Sequence, residues 1–270
     1  MINVSIVLYC PDWQQVVSLT TSLLHCEQVR GVYWVDNSPT PTADLPISSS
    51  KLHYHFTGKN LGYGAAHNIA IRESIYDDVP YHLVINPDII IAPNALSTLL
   101  DFIDKNPEVG MLMPRVVYPD GEQQYLCKLL PTPMDVFGRR FLPKSWMKKR
   151  NDRYEMRQSG YDKLMNIPYL SGCFMLLRTA AVERAKLFDE RFFMYPEDVD
   201  LTRRIHRDYL TLYYPHTTII HNHAKASYHS LRMLWIHIVN MCRYFNKWGW
   251  FVDAERTLFN HTAAEQYLSE

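Results

Sequence analysis

The sequence lacks any apolar run of roughly 18 residues or more, the length a membrane-spanning helix needs. It also lacks an excess of either charge: 28 Lys and Arg offset 28 Asp and Glu. That balance removes the global basic field expected of a nucleic-acid binder. Cysteine is scarce and scattered, at positions 10, 26, 127, 173 and 242, without a CxxC pair. Such a set argues against a disulfide framework or a structural zinc site and fits a reducing compartment. Met1-Ile2-Asn3-Val4-Ser5 enters a strand-like run with no basic leader region, so a cytoplasmic protein is expected. Internal repeats and low-complexity tracts are missing as well. What is present is 270 residues, 47% hydrophobic and 21% charged. That is enough to bury the core of one large α/β domain, with or without a helical appendage, and it excludes a mainly disordered chain.

Strand-like and helix-like patterns alternate through the first 113 residues. Val4–Tyr9, Gly31–Val35, Leu52–Phe56, Tyr81–Ile85 and Gly110–Met113 read as strands. Trp13–His25, capped by Asp12, Ala65 to about Ile75, and Asn94 to Lys105 read as helices. Short-spaced alternation predicts a mostly parallel sheet covered on both faces. In such sheets ligands bind beyond the carboxyl ends of the strands, and polar turn clusters follow three of these strands. Periodicity then fades from Pro114 to Asn166, a region with a local basic run over Lys144–Arg157. It returns as strand-like Ile167–Arg178, a short helix from Thr179, short strands at Leu210–Tyr214 and Thr217–Ile220, and a terminal helix. That helix carries Leu231, Leu234, Trp235, Ile238, Cys242 and Phe245 at three- and four-residue intervals.

Several clusters have chemistry to offer, each with a plainer alternative. Asn86-Pro87-Asp88 follows a buried strand and presents hard oxygen donors suited to Mg²⁺ or Mn²⁺; it also reads as a proline turn. Glu197-Asp198, with Asp200, opens a helix behind an aromatic run that would desolvate a carboxylate and raise its pKa, as a general base needs. Acids at a helix N-terminus also simply suit the dipole. Gly58-Lys59-Asn60-Leu61-Gly62-Tyr63-Gly64 allows close approach to a phosphate or forms a tight turn. It fits neither the P-loop nor the dinucleotide fingerprint. His221-Asn222-His223 offers imidazoles to a metal, although most of the twelve histidines must be structural or on the surface. Asp36-Asn37 suits a pyrimidine or ribose edge, or a turn. The terminal helix, with Trp248-Gly249-Trp250-Phe251 after it, suits a membrane surface or packing on the domain.

Taken in order, these motifs, with Tyr118-Pro119-Asp120-Gly121, Gly172 and the segment from His221 to Ser227, resemble the family 2 glycosyltransferases of the GT-A fold. The bacterial rhamnosyltransferase branch that builds O-antigen and related polysaccharides is the most similar part of that family. The resemblance covers roughly residues 2 to 260. It implies a GT-A sheet with helices on both faces over residues 1–225 and a helical extension over 226–270 that contacts membrane or acceptor. By the same resemblance Asp88 is the metal-binding acid of the DxD position, where Asn86 replaces the first acid. Asp36 meets the pyrimidine base, Tyr9 to Asp12 lie against the nucleoside, and Asn60, Gly62 and Asn68 line the nucleotide-sugar pocket. His221 or His223 stands near the diphosphate. Asp198 of the Glu197-Asp198 pair is the catalytic base.

The implied reaction is inverting transfer of a hexose, L-rhamnose from dTDP-β-L-rhamnose, to a polyprenyl-diphosphate-linked oligosaccharide. It takes place on the cytoplasmic face of the inner membrane, with no nucleic acid involved. Lys144–Arg157 and the terminal helix are the expected contacts for the lipid diphosphate or anionic headgroups. A UDP-linked glucose, galactose or N-acetylglucosamine donor, or a non-catalytic carbohydrate- or lipid-binding module, remain the alternatives. A dinucleotide-dependent oxidoreductase is disfavoured by the incomplete glycine pattern.

Overall fold

A computed structural model describes residues 1–222 and 231–267. β1 (Ile2–Leu8) is almost wholly buried and lies between β2 (Val29–Asp36) and β4 (Tyr81–Ile85), parallel to both. β3 (Leu52–Phe56) extends this parallel half from the far side of β2. α1 (Trp13–Leu24) starts where Asp12 accepts a hydrogen bond from the Gln14 amide, as the sequence predicts. α2 (Tyr63–Tyr76) turns Ala66, Ala70 and Ile71 inward; its small residues let it lie close to the strands. Beneath it a buried polar chain crosses the core. Asn3 donates to Ser74, while Ser74 and Ser5 hold the two ring nitrogens of His82, and Ser5 also holds His67. Burial pushes the His82 pKa down to about 3 and keeps both imidazoles neutral.

The other half of the sheet is mixed. β5 (Ile89–Ile91) is three residues long, too short to show a pattern in sequence. α3 (Ala95–Lys105) leads to β6 (Val109–Val117). The region of faded periodicity contains β7 (Cys127–Lys128), a π-helical turn over Met134–Gly138, α4 (Arg139–Phe141) and α5 (Lys144–Tyr154), so the basic run is mostly helical. β8 (Met165–Asn166) and β9 (Tyr169–Leu170) follow. β10 (Phe174–Arg178) runs antiparallel between β4 and β6. The segment expected as one strand over Ile167–Arg178 is therefore broken by a turn at Gly172-Cys173. α6 (Thr179–Arg184) and α7 (Glu197–Ile205) precede β11 (Leu210–His221). Two strands were expected in place of β11. They form one because the register shift against β6 between Tyr214 and Thr218 absorbs Pro215, which has no N–H to donate. The sheet order is β3-β2-β1-β4-β10-β6-β11-β5, with β8 paired to β11 and β7 paired separately to β9.

α8 (Leu231–Trp248) and α9 (Ala254–Tyr267) close the described chain. Met241, Tyr244, Phe245 and Ala263 join the same hydrophobic cluster as the sheet. A buried ion pair fastens them: Arg203 of α7 donates two hydrogen bonds to Asp253, at 2.7 and 2.6 Å, beneath the Trp248 ring. The expected boundary at residue 225 lies outside the described residues.

Candidate active site

Three carboxyl-terminal strand ends and one helix start meet in the same place. Beyond β1, Tyr9 is exposed, and the Cys10 amide donates to Ser38 Oγ, so the loops after β1 and β2 lie side by side. Asp36, the last residue of β2, is fully buried. Its oxygens accept from the Ser38 amide and the Tyr54 hydroxyl, both at 2.8 Å. Its backbone carbonyl accepts from Thr57, which also bonds to Asn37, and Asn37 donates to the Gly62 carbonyl. Asp36 thus organises the wall of the cleft through the loop it holds.

Gly62 has a positive φ of 86°, and a Cβ there would stand 2.3 Å from the Phe193 carbonyl oxygen, so glycine is required. Asn60 secures the turn by accepting from the Gly62 amide. The turn delivers Tyr63, whose amide donates to Phe193 and whose hydroxyl lies 3.0 Å from Asn86 Oδ1 and 2.7 Å from the Gly172 carbonyl. The Gly172 amide in turn donates to Asp198 Oδ2 at 2.9 Å. A continuous chain of hydrogen bonds therefore runs from Asp36 to Asp198. Tyr63 is its hub, a role that sequence reasoning missed; its place inside the glycine-rich segment was the available signal.

Asp198 sits one residue into α7, with Oδ1 accepting from the Val199 amide at 2.7 Å and Tyr169 Oη 3.5 Å from Oδ2. Burial raises its pKa to about 6; the Gly172 hydrogen bond and Lys128 oppose the rise. Glu197 is buried beside it, with Oε2 lacking a hydrogen-bond partner. Burial first, and the Asp198 charge second, push its carboxyl well above the usual range. Two acids so placed titrate as a pair, and a carboxylate poised near pH 6 suits proton abstraction.

Asn86 and Asp88 flank the turn after β4. The Asn86 amide donates to the Cys173 carbonyl, and the Asn222 amide donates to the Asp88 carbonyl. Antiparallel pairing of β5 with β11 sets His221 opposite Ile89, which brings His221 Nε2 to 3.3 Å from Asp88 Oδ1. Gln124 holds the other ring nitrogen at 3.0 Å. Burial opposes the charged ring, but Asp88 and Cys173 outweigh it and raise the His221 pKa to about 10. Once a divalent cation displaces the ring proton, one carboxylate oxygen and one imidazole nitrogen facing each other fit as two donors to it. Among the described residues no group of three or more His, Cys, Asp or Glu side chains can hold a metal. A cation here would thus draw its further ligands from a bound diphosphate and water.

Two sequence-predicted positions are engaged elsewhere. Asn68 is turned into the protein, donating to the Phe188 carbonyl and Glu190 and accepting from the Phe188 amide, so it clamps α2 to the loop before α7. A helix residue one turn in has no route to the cleft when its amide is used this way. Asp12 is occupied as the cap of α1. His223 lies outside the described residues.

Comparison with known proteins follows this geometry. Glycosyl transferase family 2 matches residues 32–185, more than half of the chain. An N-acetylglucosaminyl-diphospho-decaprenol L-rhamnosyltransferase of Mycobacterium tuberculosis is 31% identical over 188 residues, 63% of this chain and 59% of that protein. The chain thus spans well under two thirds of that relative's length. Rhamnosyltransferase WbbL of Escherichia coli is 27% identical over 200 residues, 70% of this chain and 72% of its own. Among solved structures, GalNAc-T7 with UDP, GalNAc and Mn²⁺ shares the fold with a TM-score of 0.59 at 12% identity, covering 82% of this chain and 43% of that one.

Proposed function

The chain belongs to glycosyl transferase family 2, and we propose that it is an inverting glycosyltransferase. In this reading it moves L-rhamnose from dTDP-β-L-rhamnose onto a polyprenyl-diphosphate-linked acceptor for a cell-surface polysaccharide. The observation that carries the proposal is the hydrogen-bond chain that sets Asp198, with its pKa near 6, across the Tyr63–Gly172 bridge from Asn86. The names of the relatives support rhamnose and a lipid-linked acceptor.

The acceptor hydroxyl oxygen attacks the anomeric carbon opposite the leaving nucleoside diphosphate. Asp198 takes the hydroxyl proton as the carbon–oxygen bond to the diphosphate breaks. One displacement turns a β-linked donor into an α-L-rhamnoside. Asp88 and His221 are the residues that would hold Mg²⁺ or Mn²⁺, which when bound neutralises charge on the leaving diphosphate. Tyr9 and the loops organised by Asp36 and Asn60 form the nucleoside side. No described helix is long and apolar enough to cross a membrane. Contact with the inner-membrane surface is therefore proposed as peripheral.

A thermal-shift series with dTDP, UDP, GDP, CMP and NAD, each with and without Mn²⁺, tests this, because a ligand that binds only the folded state raises the melting temperature. A dTDP-selective shift is expected. A UDP-selective shift would move the donor to a UDP-hexose, and product with retained configuration would overturn the inverting mechanism.

A further inference from the structure

Lys128 takes no part in the donor chemistry, yet it stands beside the base. It pairs with Tyr169 across β7 and β9, and its ammonium lies 5.1 Å from the centre of that ring, whose hydroxyl approaches Asp198. Among the described residues no carboxylate is in ion-pair contact with it. Burial and the neighbouring Arg139 press its pKa down, while Asp198 holds it up. A half-buried ammonium with no carboxylate in direct contact is only partly compensated, and a bound anion would complete it. Arg139 is the second cation here. It shares the single charge of Glu155 with Arg157, at 2.7 and 2.6 Å.

Next to Arg139 in sequence, an apolar hollow of about 590 Å³ opens, lined by Met134, Phe137, Gly138, Leu142, Trp250 and Phe251 among others. Phe137 stacks on Trp250, and Arg256 fixes this wall by donating to the Trp250 and Phe251 carbonyls. Phe251 and the following Val252 are 87% and 89% exposed. Hydrocarbon of this extent left in water marks a binding surface.

We propose that Asp198, the Lys128–Arg139 pair and this hollow form one subsite for a polyprenyl diphosphate acceptor. The sugar hydroxyl lies at Asp198, the diphosphate on the two cations, and the first isoprene units in the hollow. The inference rests on the glycosyl-transfer function above and assigns residues to its acceptor. Acid, cations and apolar hollow supply what the hydroxyl, diphosphate and hydrocarbon of such a lipid each need. A bilayer surface would use the Phe251–Val252 tip and the basic α5 but would leave the cation beside the base without a purpose.

The test is a fluorescence titration of the whole chain with farnesyl diphosphate, read on tryptophan because Trp250 lines the hollow. Inorganic diphosphate, farnesol and dTDP are titrated in parallel. Lys128→Met should weaken farnesyl diphosphate about tenfold or more, the scale of one lost charged hydrogen bond. Lys128→Arg should restore binding, and dTDP affinity should not change in either variant. Phe251→Asp should weaken farnesyl diphosphate and farnesol but leave inorganic diphosphate alone. No binding of farnesyl diphosphate by the parent chain overturns the subsite. So does an equal loss of dTDP affinity in Lys128→Met, which would place the lysine on the donor, or binding that appears only on phosphatidylglycerol vesicles and ignores Lys128. Farnesyl diphosphate binding without any nucleotide binding would keep the subsite and overturn glycosyl transfer instead.

Discussion

Asp36 and Asp198 both stand at the rim of one cleft with their carboxylates held by hydrogen bonds, two on Asp36 and three on Asp198, yet their neighbourhoods differ. Around Asp36 the polar groups are neutral and satisfied by one another: Tyr54, Ser38, Thr57, Asn37 and the Gly62 carbonyl. Around Asp198 stand a buried acid with a partnerless oxygen and a lysine that, among the described residues, contacts no carboxylate. Satisfied networks rigidify a wall. Charges left in tension shift pKa values and mark the place where a proton is moved.

The sharpest way to break this contrast is Asp198→Asn. A positioned general base contributes about 10²–10⁴-fold, so turnover should fall by at least that order. Nucleotide affinity, measured by calorimetry, should hold. Five residues along the same helix, Arg203→Met should do the opposite. Leaving Asp253 buried without its partner costs about 3–5 kcal/mol, which denaturant unfolding would show as a lower midpoint. On the satisfied side, Asn68→Ala removes a clamp rather than a ligand contact. It should cost about 1–3 kcal/mol of stability with little change in nucleotide affinity; a large affinity loss would return Asn68 to the pocket.

The smallest effect is the pH dependence. Protonated Asp198 cannot accept a proton, so kcat/KM should fall roughly tenfold per pH unit below about 6 and level off above it. Stability runs the other way. The folded-state pKa of Asp198 is raised above the unfolded value of about 4, so the native state holds more protons between the two. This group's contribution to folding is therefore fully present below pH 4 and is lost as pH rises through 6. Asp198→Asn should flatten both slopes, and an unchanged acidic limb in a weakly active variant would assign the base elsewhere.

Much of the parallel half was legible beforehand because β1, β2 and β4 are largely buried runs and turn residues bound all four strands. Leu52–Phe56 and Tyr81–Ile85 match their predicted limits, and Asp12 caps α1 as expected. Residues 114–166 were not legible, because β7 and β8 are two residues long and the Met134–Gly138 turn has no helical apolar stripe. The site was half legible. Residue types and order named Asp36, Asn86, Asp88, Glu197, Asp198 and His221. Local pattern could not show that Asn68 points inward or that Lys128 reaches the base, since both depend on partners far away in the chain.

Local chemistry by itself determined the alternating elements and the acids that open α7, because turns, caps and dipoles act over a few residues. Tertiary structure alone decided that β10 enters antiparallel and brings Gly172 to Asn86, that β5 meets β11 and sets His221 against Asp88, and that β7 carries Lys128 to Tyr169. Those pairings are set by burial and backbone hydrogen bonding across more than forty residues of chain, a range over which no local pattern carries information.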